Sequence, residues 1–253
     1  MSTPPIPDRP ACFLDFDGVL VAIADTPGGV TVDPGLPDLL DRLADRTDGA
    51  LAIVTGRTIE DVDRFLAPAR LATAGMHGFE HRLADGDAVE GEGVPPELEE
   101  LRRRLEAYGM FDENVRLEEK RSGLAVHYRA APDREEEVRA AVGQALEGLE
   151  SLHAISGKMV VEAKRVGHDK GVAIRKFMAI APFAGRTPVF LGDDVTDEDG
   201  FRAVNEMGGV SIKVGDGDTI AAYRLADVAA VHRWLAELAE LADGPDDAMR
   251  RAG

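Results

Sequence analysis

Three features are scarce in this chain of 253 residues: cysteine, positive charge and long hydrophobic runs. The single cysteine, Cys12, cannot form a disulfide within the chain, so nothing in the sequence indicates an oxidising compartment. There are 29 lysines and arginines against 47 aspartates and glutamates, which gives a formal net charge of -18. That charge would repel a phosphate backbone or an anionic membrane, so we expect neither nucleic acid nor a membrane as a partner.

The hydrophobic runs are short as well. The longest, residues 11–24, is interrupted by Asp15 and Asp17 and is too short to cross a bilayer. The first ten residues contain several prolines and no apolar signal-peptide core, which predicts a short flexible lead-in and no export signal. We therefore expect a cytoplasmic protein, and its length is sufficient for a substantial hydrophobic core.

The order of predicted strands and helices changes twice along the chain. Up to about Ala84, short apolar strands alternate with amphipathic helices, which is typical of a parallel sheet with crossover helices. A turn-rich passage follows, and a helix with a strand pair then occurs twice before the alternation resumes. The predicted fold is α/β, with a Rossmann-like parallel-sheet core formed by residues 1–88 and 165–253 and a small α+β domain inserted at residues 89–164.

The apolar spacing also predicts the bounds of individual elements. Strands are predicted at residues 11–14, 50–55, 71–74, 115–120, 124–129, 152–156, 158–163, 188–191 and 209–214. Helices are predicted at residues 37–46, 59–66, 97–108, 134–149, 170–179, 197–207 and 228–242.

Two aspartates stand directly after the first predicted strand. Asp15 and Asp17 occupy positions i and i+2 of an extended chain and therefore point the same way, towards the edge of the sheet where open α/β folds bind ligands. Two such anions require a cation, and Mg2+ would hold the pair and accept a phosphate oxygen as a further ligand. An acidic turn without chemistry is the alternative explanation of this motif.

Two further segments could bind a phosphate group. Thr55 and Gly56 end the second predicted strand and precede a helix, so the hydroxyl and the backbone amides could face an anion. A helix cap followed by a turn is the simpler explanation. Lys170 begins a predicted helix, where a cation is unfavourable with respect to the helix dipole, which indicates that the lysine is held there for an anion. A solvated surface lysine is the alternative.

The fourth segment is an acidic cluster at residues 192–199. Acidic residues favour helix starts, which accounts for Asp197 and the two acidic residues after it. It does not account for Asp193 and Asp194, which are adjacent at a strand end and should repel each other. Their placement is explained if one binds a metal and the other accepts hydrogen bonds from basic groups. The four segments together supply a nucleophile, a proton-transfer group, phosphate-binding groups and a metal site.

The order and spacing of these segments resemble the haloacid dehalogenase-type phosphatases and, more closely, the trehalose-6-phosphate phosphatase family among them. The motifs that carry the resemblance are LDFDG at 14–18, VTGR at 54–57, HGFE at 77–80, EEKR at 118–121, AVHYR at 125–129, KMVVE at 158–162, DKG at 169–171 and LGDDVTDE at 191–198. Val19 and Thr55 stand where Thr and Ser are frequent in the family, and neither departure removes a required functional group.

The resemblance implies Mg2+-dependent hydrolysis of trehalose 6-phosphate to trehalose and inorganic phosphate, the last step of trehalose biosynthesis. Asp15 would be the nucleophile that forms an aspartyl-phosphate, and Asp17 would protonate the leaving sugar oxygen and then activate water. Mg2+ would be held by Asp15, the main-chain carbonyl of Asp17 and Asp193. Thr55 and Lys170 would bind the transferring phosphoryl group.

The resemblance also implies positioning and substrate-binding roles. Asp194, Asp197 and Arg57 would position the catalytic groups. The inserted domain would be a cap that closes over the core and selects the sugar, because mixed acidic and basic groups suit hydroxyls that both donate and accept hydrogen bonds. The implied substrate-binding residues are Gly56, His77, Glu118, Lys120, Arg129, Lys158 and Glu162. For Glu118 and Lys120, the solvated side of a strand is the alternative.

Two other functions stay open from the sequence. A phosphatase for another sugar phosphate, such as mannosyl-3-phosphoglycerate, would share the core motifs and differ in the cap. A non-catalytic sugar-phosphate sensor would be expected to have lost at least one of Asp15, Asp17, Lys170 and Asp193, and all four are present. We expect a monomer that binds a small sugar phosphate, with trehalose-phosphate synthase only as a pathway neighbour.

Overall fold

The computed structural model describes residues 3–24, 26, 28–84, 86, 90–91, 96–120, 123–157, 159–167 and 169–241, without the side chains of residues 90, 91 and 120. The chain divides into two compact units, residues 1–91 with 169–253 and residues 92–168. The predicted boundaries, before residues 89 and 165, fall a few residues earlier. They differ because the strand Glu90–Gly91 pairs within the first unit, whereas Arg165 pairs with Leu152 within the second.

Twelve strands and seven α-helices occur in the described part of the chain. The strands are β1 (Pro10–Leu14), β2 (Leu51–Val54), β3 (Ala72–Gly75), β4 (Glu80–Arg82), β5 (Glu90–Gly91), β6 (Arg116–Lys120), β7 (Gly123–His127), β8 (Leu152–Gly157), β9 (Val160–Arg165), β10 (Thr187–Gly192), β11 (Val210–Val214) and β12 (Tyr223–Leu225). The helices are α1 (Leu36–Arg46), α2 (Ile59–Leu66), α3 (Glu97–Ala107), α4 (Glu135–Ala145), α5 (Lys170–Met178), α6 (Glu198–Glu206) and α7 (Val228–Glu240).

The first unit contains an eight-stranded sheet in the order β12-β11-β10-β1-β2-β3-β4-β5. The strands pair in parallel except for β4, which is antiparallel to both of its neighbours. The chain order reverses at β1, which has β2 on one side and β10 on the other. Such a switch point is where open α/β sheets bind ligands. The predicted Rossmann-like core is confirmed.

The central strands of this sheet are buried because helices cover both faces. Cys12 and Leu14 of β1 face a hydrophobic core shared with α1, α2 and α7, whereas Ala11 and Phe13 face a second core shared with α5 and α6. Both faces of β1 must therefore be apolar, which is why the strand is a continuous hydrophobic run in the sequence.

The N-terminal residues pack against the same unit. The indole N–H of Trp234 in α7 donates to the main-chain oxygen of Pro4 at 3.1 Å, and the N–H of Thr187 donates to the oxygen of Arg9 at 2.9 Å. Pro4 is buried by this contact. The prediction of a flexible lead-in is therefore wrong for the residues from Pro4 onward.

Side-chain caps set the start of α2, which follows the predicted VTGR motif, and of α5, which carries Lys170. The hydroxyl of Thr58 accepts from the N–H of Asp61 at 3.1 Å before α2, and the carboxylate of Asp169 accepts from the N–H of Val172 at 2.7 Å before α5. Each bond satisfies a backbone donor that has no partner within the helix. These local signals explain why both helices begin where the sequence predicts.

Strands β4, β5 and β12 are absent from the sequence predictions because they are short and lack an apolar alternation. In β4, Glu80 and Arg82 are buried nonetheless. Glu80 accepts from the N–H of Ile59 at 3.1 Å, and Arg82 donates to both carboxylate oxygens of Asp63 at 2.6 Å. The polar strand is stable because groups on α2 satisfy its buried charges.

The second unit contains a four-stranded antiparallel sheet in the order β6-β7-β9-β8. Helices α3 and α4 cover one face and share a hydrophobic core with Leu124 and Val126 of β7. This is the predicted α+β module. In the part of the chain that the structure describes, no helix combines the length and apolar character needed to span a membrane.

Cys12 provides a test of the core. Its side chain is 0% exposed, and burial raises the pKa of its thiol to about 12. Because the thiolate is the reactive form, we expect the folded protein to resist a thiol reagent such as DTNB at mildly alkaline pH and to react once denatured. The released chromophore measures the reaction, and rapid labelling of the folded protein would contradict this packing.

Candidate active site

The candidate site lies at the carboxyl ends of three adjacent strands. Asp15 follows β1, Thr55 follows β2 and Asp193 follows β10. Because β1 pairs in parallel with both of the other strands, these residues lie at the same edge of the sheet. Lys170 reaches this edge from the first turn of α5.

The ammonium group of Lys170 connects two carboxylates. Its Nζ lies 2.8 Å from Oδ2 of Asp15 and donates to Oδ1 of Asp197 at 2.6 Å. Lys170 is 2% exposed, which excludes the surface-lysine alternative. Burial alone would lower the pKa of Lys170, but the two carboxylates raise it above its ordinary value, so the lysine is charged. Burial raises the pKa of Asp15 to about 7 against the opposing influence of Lys170.

Asp197 also holds the turn that carries Asp193. Its Oδ2 accepts from the N–H groups of Asp193 and Asp194 at 2.8 and 2.9 Å. The Asp193 carboxylate faces Gly18, where a Cβ would lie 2.0 Å from Oδ2 of Asp193. Gly18 has a φ of +73°, so both the space and the backbone require glycine there. Burial raises the pKa of Asp193 to about 6.

Three carboxylates in this site could hold a metal ion. One oxygen from each of Asp15, Asp193 and Asp197 lies within 4.8 Å of the others. The oxygens of Asp197 already accept bonds from Lys170 and from two main-chain N–H groups. Oδ1 of Asp15 accepts from one main-chain N–H and Oδ2 from Lys170, whereas Asp197 accepts three bonds, so Asp15 and Asp193 offer the more available oxygens. Hard anionic oxygens in a largely buried site are the donor set that suits Mg2+.

Asp17 lies beside this cluster and is paired with Arg57. The guanidinium donates from Nε to Oδ2 of Asp17 at 2.6 Å and from NH2 to Oδ1 at 2.7 Å. It also lies over the rings of Phe16 and Phe65, at 5.2 and 5.1 Å from their centroids. The hydrogen bonds with Asp17 raise the pKa of Arg57. Arg57, predicted as a positioning residue, thus has Asp17 as its partner.

Thr55, Gly56 and His77 lie together, and Arg57 connects this group to Asp17. Thr55 is buried, and its hydroxyl accepts from the N–H of Arg57 at 3.2 Å. The cap of α2 is Thr58, so the helix-cap explanation of Thr55 is wrong. The N–H of His77 donates to the oxygen of Thr55 at 2.8 Å, and its imidazole packs on Gly56, where a Cβ would lie 2.9 Å from Nε2.

Asp194, predicted as a positioning residue, caps the turn that follows Asp193. It is exposed, and its carboxylate accepts from the N–H of Val195 at the start of the short 3-10 turn Val195–Asp197. Within the described residues, the aspartates that contact Lys170 are Asp15 and Asp197. The capping tendency of acidic residues therefore explains Asp194 as well as Asp197, whose carboxylate accepts from the N–H of Asp194 and completes a capping box.

In the second unit, Glu118 and Glu162 lie in one cross-strand row, on either side of Ala125. The strand alternation places both side chains on the sheet face opposite α3 and α4. Glu118 lies 2.7 Å from Nε2 of His127, and Glu162 lies 3.7 Å from the ammonium of Lys164.

The structure does not place the other three predicted substrate-binding residues of this unit beside Glu118 and Glu162. Arg129 is exposed in the turn after β7, outside the row. The backbone of Lys120 pairs with Gly123, but its side chain lies outside the described atoms, and Lys158 lies outside the described residues altogether.

Two buried lysines are missing from the sequence predictions. Lys213 in β11 is 5% exposed and donates to the main-chain oxygen of Asp193. The sequence could have identified Lys213, because a lysine within the apolar strand predicted at 209–214 is unusual. Lys164 is buried beside Glu162. The spacing Glu162-x-Lys164 repeats Glu118-x-Lys120, and this repetition could have identified it.

Comparisons with known proteins agree with this architecture. A family model described as trehalose-phosphatase matches residues 13–229. A probable trehalose-phosphate phosphatase from Sinorhizobium fredii is 43% identical and is aligned over 82% of this chain and 78% of its own length. The trehalose-6-phosphate phosphatase of Escherichia coli is 39% identical, with coverage of 92% and 88%.

Solved structures share the fold. A trehalose-6-phosphate phosphatase related protein has a TM-score of 0.70 and 29% identity, covering 90% of this chain and 96% of that chain. The C-terminal domain of C. albicans trehalose-6-phosphate phosphatase has a TM-score of 0.76 at 20% identity and covers 93% of both chains. Since the family model and relatives above 30% identity cover most of the sequence, this chain belongs, as predicted, to the trehalose-phosphatase family.

Proposed function

We propose that this protein hydrolyses trehalose 6-phosphate to trehalose and inorganic phosphate, with Mg2+ as cofactor and Asp15 as the phosphorylated residue. The observation that carries the proposal is the buried Asp15 carboxylate, held against Lys170 at 2.8 Å beside Asp193 at the switch point of the sheet. Family membership supports the choice of substrate. A cytoplasmic monomer, with trehalose-phosphate synthase only as a pathway neighbour, stays a prediction.

Asp15 is oriented for nucleophilic attack. Its Oδ1 accepts from the N–H of Phe16 at 2.7 Å, and its Oδ2 faces Lys170. Because both oxygens are held, the carboxylate is fixed before the substrate arrives. Attack on phosphorus breaks the bond to the sugar oxygen and leaves an acyl phosphate on Asp15, and the ammonium of Lys170 and the hydroxyl of Thr55 then neutralise and hold the phosphoryl oxygens.

Asp17 serves as the acid and then as the base. It protonates the departing sugar oxygen in the first step and takes a proton from the attacking water in the second, which releases phosphate and restores Asp15. The two hydrogen bonds from Arg57 hold the Asp17 carboxylate in one orientation between these steps. One water is consumed for each phosphate released.

Metal binding is assigned to Asp15, Asp193 and the main-chain carbonyl of Asp17. When bound, Mg2+ would supply positive charge to the transferring phosphoryl oxygens. Asp197 supports this site indirectly. Its carboxylate accepts hydrogen bonds from Lys170 and from the main-chain N–H groups of Asp193 and Asp194.

Sugar selection is assigned to the second unit. Glu118 and Glu162 lie two strand spacings apart, roughly 10 Å, on one sheet face. Such a span suits a disaccharide better than a single hexose. Lys164 follows Glu162 by two residues on β9 and lies beside it, so this face offers a donor as well as acceptors. Lys120, Lys158 and Arg129 keep their predicted roles in sugar recognition.

Asp15→Asn should lower kcat by about 10^3-fold or more, because an amide cannot form the acyl phosphate. Phosphate release from trehalose 6-phosphate with Mg2+ measures this loss. Asp41→Asn, on the exposed side of α1, is the matched control and should keep full activity. Unchanged turnover by Asp15→Asn would exclude the proposed mechanism.

Glu118→Gln and Glu162→Gln should each raise KM for trehalose 6-phosphate about tenfold while changing turnover of p-nitrophenyl phosphate little, since they contact the sugar and not the phosphoryl group. Glu99→Gln, on the opposite side of the unit in α3, is the control.

A panel with glucose 6-phosphate and mannosyl-3-phosphoglycerate tests the identity of the substrate. Preference for another ester would reassign the sugar, and no turnover of any ester would favour a sensor.

Mg2+ affinity should weaken as the pH falls. In the metal-free protein, burial raises the pKa of Asp15 to about 7 and that of Asp193 to about 6, so both carboxylates take up protons on acidification. Below these values Mg2+ must displace protons, and above them it need not. Calorimetry in buffers of different ionisation enthalpy should therefore show proton release that grows as the pH falls through 7 and 6. Affinity that does not depend on pH would contradict these assignments.

A further inference from the structure

Lys213 is a buried charge to which the mechanism above assigns no role. Its side chain is 5% exposed, although it lies in a strand that is otherwise apolar apart from Ser211. Burying an ammonium group carries a large desolvation cost unless nearby anions or acceptors compensate it. The groups that surround Lys213 should therefore indicate what its positive charge does.

The register of the sheet places Lys213 at the candidate site. Its backbone is the partner of Gly192 in the β10–β11 pair, directly before Asp193. Its ammonium donates to the main-chain oxygen of Asp193, and its charge lowers the pKa of the Asp193 carboxylate against the larger, opposing effect of burial. Lys213 and Asp197 thus hold the same turn from its carbonyl side and its N–H side.

The charges of the site are nearly balanced when Lys213 is included. Asp15, Asp193 and Asp197 contribute three negative charges, and Lys170 and Lys213 contribute two positive ones. Asp17 is neutralised by Arg57, and Asp194 is exposed to solvent. A bound Mg2+ would change the remaining single negative charge to a single positive one. Without Lys213, the loaded site would have no net charge with which to attract a phosphate dianion.

We propose that Lys213 is a positioning residue whose positive charge lets the acidic site hold Mg2+ and still attract an anionic phosphoryl group. The inference rests on the proposed function only in assigning Mg2+ and a phosphoryl group to this site. It does not depend on which sugar phosphate is the substrate.

Three substitutions separate the charge of Lys213 from its hydrogen bond. Lys213→Arg keeps both, Lys213→Gln keeps a neutral donor for the Asp193 carbonyl, and Lys213→Met keeps neither. Ser211→Ala, two residues earlier on the same face of β11, is the structural control, since it removes the bonds to Asn205 and to the N–H of Ala222. Thermal denaturation identifies the variants that are folded.

Two binding titrations and one kinetic measurement test the proposal on the folded variants. The probes are Mg2+ alone and inorganic phosphate in the presence of saturating Mg2+, both followed by calorimetry. We expect Lys213→Met and Lys213→Gln to bind Mg2+ at least as tightly as the parent, and to bind phosphate about tenfold or more weakly, because one buried charge is removed close to the anion. Lys213→Arg should recover most of the phosphate affinity, and Ser211→Ala should keep it. In kinetics, kcat/KM for any phosphate ester turned over should fall in parallel with phosphate affinity.

Either of two results would overturn the proposal. Phosphate affinity that is unchanged in Lys213→Gln and Lys213→Met would show that the charge does not act on the anion. A loss of Mg2+ affinity in Lys213→Met that Lys213→Gln restores would show that only the hydrogen bond to Asp193 matters. Since neither titration contains a sugar phosphate, failure of trehalose 6-phosphate as a substrate would leave this test intact.

Discussion

The ammonium of Lys170, held between Asp15 and Asp197, is the interaction on which the candidate site depends. It pairs with two buried carboxylates at once, and it leaves Asp15 with one oxygen oriented by Lys170 and the other by a main-chain N–H. Through Asp197 the same interaction reaches the turn of Asp193. Each member of this network needs the others to stay buried, because an unpaired charge in such a place is strongly destabilising.

Those parts of the fold that depend on local chemistry were predictable from the sequence. The starts of α2 and α5 follow from Thr58 and Asp169, whose side chains cap the next turn of the same chain. Strand β4 was not predictable, because what keeps Glu80 and Arg82 buried is contact with α2, twenty or so residues away. The residue pattern of the strand itself does not indicate those contacts.

The candidate site likewise has residues that were predictable from the sequence and contacts that were not. Asp15, Thr55 and Asp193 were predictable because each follows an apolar strand, and parallel strands carry such residues to one edge of the sheet. The approach of Lys213 to Asp193 depends on the register between β10 and β11, which no local pattern specifies. The family resemblance supplied the roles of these residues, whereas the pairing of Asp17 with Arg57 became visible only in three dimensions.

The most direct test of the account is to trap the phosphorylated residue. Reduction with borohydride converts an acyl phosphate to an alcohol, so the protein should be quenched during turnover of trehalose 6-phosphate with Mg2+, reduced, digested and examined by mass spectrometry. We expect Asp15 to be converted to homoserine, and only when substrate is present. Modification of a different carboxylate, or turnover at full rate with no modified residue, would contradict phosphoryl transfer to Asp15.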